Sequence, residues 1–211
     1  MKTAFSRLLT PLAAALALSA APCFAQQGGA PKGAPGTNPG EIQITKVSAL
    51  GDVEQRSPSL GGGGAKNKKW GVFDVTFQSA PEWVDEITVV YFVMLENPRP
   101  AKGARPLSLF RLSVSYPDVE RGRDHKAGAV LLPGALKRYG RPIGFAVQLF
   151  VDGTEVAARS EADGRLKGEA KWWESDKILN SPMVQTRDGL LLDRMKTPFR
   201  LIDPENYVES R

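Results

Sequence analysis

Acid–base chemistry in this chain would have to start from a single histidine. His125 is the only one in 211 residues, and it lies in the polar run RGRDHKAG. A hydrolytic triad needs a base held against a nucleophile and oriented by a third group. Asp124 adjoins His125, but neighbours on an extended chain point to opposite sides. We therefore expect a solvated loop histidine. A zinc site needs three or four His, Cys or carboxylate ligands, and the chain has one His and one Cys, Cys23. A phosphate loop needs Gly-x4-Gly-Lys-Ser/Thr ahead of a helix. In LGGGGAKNKK, 60–69, the lysine follows Ala65, no Ser or Thr follows Lys66, and no helical pattern comes after. No stretch has the alternating acids and distal Glu of a calcium loop. The carboxylate pairs Glu82/Asp85 and Glu161/Asp163 fall in polar connections, where solvation is their expected role. Glycosidase chemistry from two distant acids stays open, as a third and weaker reading. We assign no catalytic, cofactor-binding or metal-binding residue and expect no cofactor and no enzyme.

Aromatic stacking is the next candidate chemistry. Sugars stack on indole faces, and Trp172-Trp173 is the best pair among four tryptophans. On an extended chain one ring would face inward and the other outward. The pair could thus serve a carbohydrate-binding module. The favoured reading is that the inner ring is core and the outer one covered by the tail, since Trp is commonly well buried.

The elements that must position these residues read as strands. Ile42–Val47 alternates. Phe73, Val75 and Phe77 alternate with Asp74, Thr76 and Gln78. Residues 86–96, EITVVYFVMLE, are apolar on both faces, as a central strand should be. In 107–116 the better core set is Ser108, Phe110, Leu112, Val114 and Tyr116. A short strand follows at 127–132. Then 143–151 and 154–159 flank Asp152-Gly153, a strong hairpin signal. Helical periodicity is confined to one turn at 135–139. Seven strands in about 120 residues predict an all-β fold: an immunoglobulin-like antiparallel β-sandwich with a C-terminal extension. A small β-barrel is the alternative. Residues 41–160 would form the sandwich. Residues 161–211, with Trp172, Trp173, Asp188-Gly189 and Leu190–Leu192, would pack across it, being too few for an independent core.

That topology sorts the loop charges. Connections one, three and five gather at one end of such a sandwich. They carry Arg56, Lys66, Lys68 and Lys69, then Arg99, Lys102 and Arg105, then Lys137, Arg138 and Arg141, against Asp52 and Glu54. The other end receives Glu82, Asp85, Asp118, Glu120, Asp124 and Asp152, against Arg121, Arg123 and Lys126. The basic end is a candidate contact for a protein partner or an acidic surface polymer.

The first 25 residues have the three parts of a secretory signal. Lys2 and Arg7 are the charged region, Leu8–Ala20 the apolar region, and Cys23-Phe24-Ala25 places small residues before a cut at Gln26. The apolar run is too short to span a bilayer, which takes about 20 residues. Pro22 before Cys23 argues against a lipoprotein signal. After the cut no cysteine remains, so stability rests on the core rather than on disulfides. Removing Lys2 and Arg7 leaves 26 basic against 23 acidic residues, a net charge of +3. That mild excess gives no reason to expect nucleic-acid binding. Residues 26–40, QQGGAPKGAPGTNPG, read as a disordered leader, and the glycine run within 56–69 as a mobile loop. We expect an exported protein: periplasmic, associated with the outer membrane or on the cell surface, without a transmembrane anchor.

The signal peptide, EIQITKV, WGVFDVTF, EITVVYFVMLEN, the FAVQLFVDGTEVA hairpin, KWWE and TPF together resemble one group. These are the small exported Ig-like proteins encoded with a type IV pilus-like secretin cluster in Verrucomicrobia such as Akkermansia. The likeness covers about 41–211. It implies an Ig-like sandwich akin to subunits of archaeal pili and flagella, and a non-enzymatic role near a pilus apparatus. It carries over no catalytic residue. A pilin keeps a long N-terminal apolar helix, whereas here Ala25 ends the apolar part, so the resemblance points to an accessory or surface protein.

Overall fold

The computed structural model describes residues 41–58 and 68–211. The signal segment, the leader, the glycine run and Lys66 lie outside the described residues. Eight strands form one mostly antiparallel sheet: β1 Ile42–Val47, β2 Glu54–Arg56, β3 Lys69–Glu96, β4 Leu107–Leu131, β5 Arg141–Val151, β6 Thr154–Ala162, β7 Val184–Arg187 and β8 Leu191–Asp193. The all-β sandwich expected from strand periodicity is what forms.

The strand count conceals one difference. The expected strands at 73–78 and 86–96 are halves of β3, and those at 107–116 and 127–132 are halves of β4. Straight, β3 would run about 90 Å at about 3.3 Å per residue. It does not run straight. Phe145 is the Cα partner of Val93, yet its ring meets that of Phe73 at 5.1 Å. The β3–β4 hairpin is folded over on itself. The corner lies where the register slips, from Phe77↔His125 through Ser79↔Gly122 to Trp83↔Glu120. Bulges bend a strand this way, and Asp118 adopts the left-handed φ of 52° at the same corner. Polar residues at 79–85 and 117–126 suggested separate connections; here they line the outside of a bend whose backbone ladder continues.

Folding the hairpin produces two layers. The first half of β3 and the second half of β4 join β1, β2 and β8. The other two halves join β5, β6 and β7. β7 runs parallel to β4, because it arrives from a segment that crosses the outer face rather than through a hairpin. On the β1/β6 side, the Arg159 guanidinium donates to the Thr45 carbonyl at 2.7 Å and draws the layers together. The expected core residues Phe73, Val75, Phe77, Tyr91, Val93, Phe145, Val147 and Leu149 are fully buried between the layers. There the Tyr91 and Tyr116 hydroxyls pair at 3.0 Å. Burial pushes both phenols above their ordinary range. Asp152-Gly153 makes the β5–β6 turn, with φ of 49° and 75°.

Both outer faces are covered by the end of the chain. Residues 163–184 place Leu166, Trp172, Trp173 and Val184 over Val90, Phe92, Met94, Leu107, Leu109 and Ile143. Residues 194–208 cross the other layer, with Phe199 on Val72 and Val130. Among the described residues, no helix is long and apolar enough to cross a membrane.

Candidate functional site

The folded hairpin decides where the basic loops meet. Both ends of β3 and both ends of β4 return to the end of the sandwich opposite the corner. The connection between β3 and β4, residues 97–106, and helix α1 (Pro133–Tyr139) with the start of β5 are therefore neighbours. The Asn97 side-chain amide donates to the Arg138 carbonyl at 3.1 Å, and Phe110 meets Tyr139 edge-on at 5.5 Å. α1 starts on Pro133, which fixes φ for a first turn, and ends at Gly140, whose positive φ of 91° turns the chain into β5. A Cβ at Gly140 would meet the Glu96 carbonyl oxygen at 2.0 Å.

The sequence-named cations divide by environment. Lys69 Nζ pairs with Glu54 at 2.8 Å, and Arg141 lies 3.7 Å from Asp163. Arg105 donates to the Val184 carbonyl at 2.5 Å and tethers β7. Arg138 stacks 5.2 Å above Tyr139. Lys68, Arg99, Lys102 and Lys137 are exposed and have no carboxylate partner among the described residues. One cation escaped the sequence reading: Arg187 on β7 reaches within 5.7 Å of the same Tyr139 ring. It lies in the extension, whose route periodicity does not reveal.

Four of these cations, Lys68, Lys69, Lys137 and Arg138, line an indented surface. Glu54, Lys68, Lys69, Pro133, Gly134, Leu136 and Lys137 line a groove of about 650 Å³. Beside it, Trp70, Leu132, Ala135, Tyr139 and Leu190 line a more apolar one of about 490 Å³, which Lys68 and Arg138 also line and which shares Pro133 and Gly134.

The corner has the opposite character. Glu82, Asp85, Asp118, Glu120 and Asp124 are exposed there. With Glu205 and Glu209 from the tail, most of them surround a groove of about 510 Å³ beside Trp83, which is 60% exposed. His125 is part of this corner. Its Nε2 lies 2.9 Å from the Glu120 carbonyl, and its ring stacks on Phe77 at 5.3 Å. It braces the bulge, and Asp124 plays no part in orienting it.

The Trp172-Trp173 reading needs correction. The rings are 0% and 5% exposed and offer no face to a sugar. They meet edge-on at 5.8 Å beneath the extension. The expected in–out alternation requires an extended chain, but 170–174 is a turn with Lys171 at φ 51°. Both rings therefore swing inward.

A protein-family model matches residues 38–211. The chain belongs to that family. The matched span includes every described residue. No curated protein matches the chain. The fold is similar to that in a crystal structure of a protein from Akkermansia muciniphila, with 23% identity and a TM-score of 0.63 over 81% of this chain and 93% of that one. At that identity the likeness is one of fold. At that level it agrees with the resemblance to Akkermansia proteins read from the sequence.

Proposed function

We propose that this is a non-enzymatic, exported binding protein of Ig-like type, an accessory or surface component of a pilus-like apparatus, whose basic end holds an acidic surface polymer. The observation that carries this reading is that Lys68, Arg99, Lys102 and Lys137, exposed and without carboxylate partners among the described residues, lie on connections that meet at one end, where Lys68 and Lys137 line a groove. Such a cluster raises the local concentration of anions and draws them in at low ionic strength. The N-terminal export pattern and the likeness to an Akkermansia fold support the setting. His125, bonded to a backbone carbonyl and stacked on Phe77, supports a non-catalytic reading.

The test is elution from an immobilised sulfated glycan in a rising salt gradient. The variant combines Arg99→Ser, Lys102→Ser and Lys137→Ser. Arg105 is left intact because it holds β7. The variant should elute at clearly lower salt, since exposed charges are screened beyond about 8 Å at physiological ionic strength. Equal elution of the two proteins would overturn the reading.

A further inference from the structure

The two ends of this sandwich differ in more than charge, and the differences match. At the corner an indole stands out from the surface: Trp83 sits opposite Glu120 in register, between Glu82 and Asp85, and is 60% exposed. At the far end lies an indentation of about 490 Å³ walled by Trp70, Leu132, Ala135, Tyr139 and Leu190. Two cations, Lys68 and Arg138, also line it. The carboxylates around Trp83 have no ion-pair partner among the described residues, and neither does Lys68. The two features cannot meet within one molecule. Leu131 lies eleven positions along β4 from Glu120, about 35 Å of extended chain.

We propose that Trp83 and its carboxylates dock into the cation-lined groove at Pro133–Tyr139 of a second copy. An aromatic anchor seated in a pocket and ringed by polar contacts is how interfaces concentrate their energy. Opposite charges at the rim set approach and orientation. The contact is heterologous, since the surfaces that meet are different on each copy. It therefore leaves a free corner on one copy and a free groove on the other, and growth continues head to tail. This goes beyond the polymer-binding reading: within a row of copies, only the terminal one keeps its basic end open to a polymer.

The experiment is sedimentation velocity of the full exported chain at low salt over a wide concentration range. The weight-average mass should rise with concentration past that of a dimer and fall as salt is added. Trp83→Ala removes the anchor. Gly134→Trp fills the groove, and a side chain there starts in open space, with nothing within 4 Å of its Cβ. Each variant alone should stay monomeric, with a thermal midpoint close to that of the parent. Mixed in equal amounts, they should form a dimer and nothing larger, because one supplies the only intact corner and the other the only intact groove. A parent chain that stays monomeric at every concentration, Trp83→Ala that still associates, or a mixture that stays monomeric would overturn the proposal. Trp83→Ala should bind the sulfated glycan as the parent does. Loss of glycan binding in the Arg99/Lys102/Lys137 variant therefore bears on the polymer reading, and loss of self-association in Trp83→Ala bears on this one.

Discussion

The two outer faces of the folded sheet are closed by the same stretch of chain in different ways. Over β5 and the adjoining halves of β3 and β4, the cover is apolar: Trp172, Trp173 and Leu166 lie on Met94, Leu109 and Ile143. Over the other layer the cover is a narrow strap. Phe199 is its one fully buried ring, packed edge-on to Trp70 at 5.8 Å. The rest is polar. The Arg194 guanidinium sits 3.8 Å over the Tyr207 ring and donates to the Ile202 carbonyl at 2.8 Å. Tyr207 and Asp74 line one groove beside Lys126. In both places a glycine makes room. A Cβ on Gly144 would come within 2.8 Å of the Trp172 ring, and one on Gly128 within 2.5 Å of Asp74 Oδ1. The sheet is thus recessed to receive each cover, but burial holds the first, whereas a charge network and one ring hold the second.

Three measurements can break or sharpen this contrast. Trp172→Ala empties the larger apolar site and should cost about 4–5 kcal/mol in urea unfolding. It should also expose 163–179 to protease while 194–208 stays protected. Phe199→Ala should cost less, about 3 kcal/mol, and reverse the protease pattern. Equal losses, or cleavage at the same sites, would mean that the covers are one unit.

The smallest effect concerns Asp74. Burial raises its carboxyl above the ordinary range, outweighing the attraction of Arg194 and Lys126. A group with a raised folded value binds its proton more tightly in the folded state. Its contribution is present below the unfolded value and fades as pH rises through the folded one. Urea midpoints of the parent should therefore fall relative to those of Asp74→Asn as pH rises from about 3 to about 7. Parallel curves would show that Asp74 does not titrate against the strap.

Sequence periodicity revealed the inner face well, because alternation with one buried side is a local signal. Phe110, Val114 and Tyr116 point inward as their pattern requires. It was blind to the second burial. Leu107 and Leu109 lie on the face opposite that set, yet both are under the extension; only the path of a distant segment determines that. The continuity of β3 and β4 was hidden for a related reason. Pro81, Glu82, Pro117 and Gly122 read as loop residues, and nothing local shows that the ladder resumes beyond a bulge. That the 97–106 connection and the 132–141 connection share an end was legible, because alternating connections do so whether the strands are separate or bent. Arg187 and the exposure of Trp83 were not, since both depend on where the chain finally lies.

The corner also has a bearing on how the molecule assembles itself in time. Glu96 pairs with Leu107, only 11 positions away, whereas Gly71 pairs with Leu131, 60 positions away. Zipping can begin at the near pair and run outward, each step shortening the loop that the next must close. At Trp83 and Glu120 the zipper must change direction before the second layer has anything to pack on. Everything beyond that point waits on long-range closure, which places refolding in the slow regime of high-contact-order β proteins. Once formed, the two layers share both long strands, so neither can open alone, and amide exchange in β3 and β4 should report a single cooperative unit.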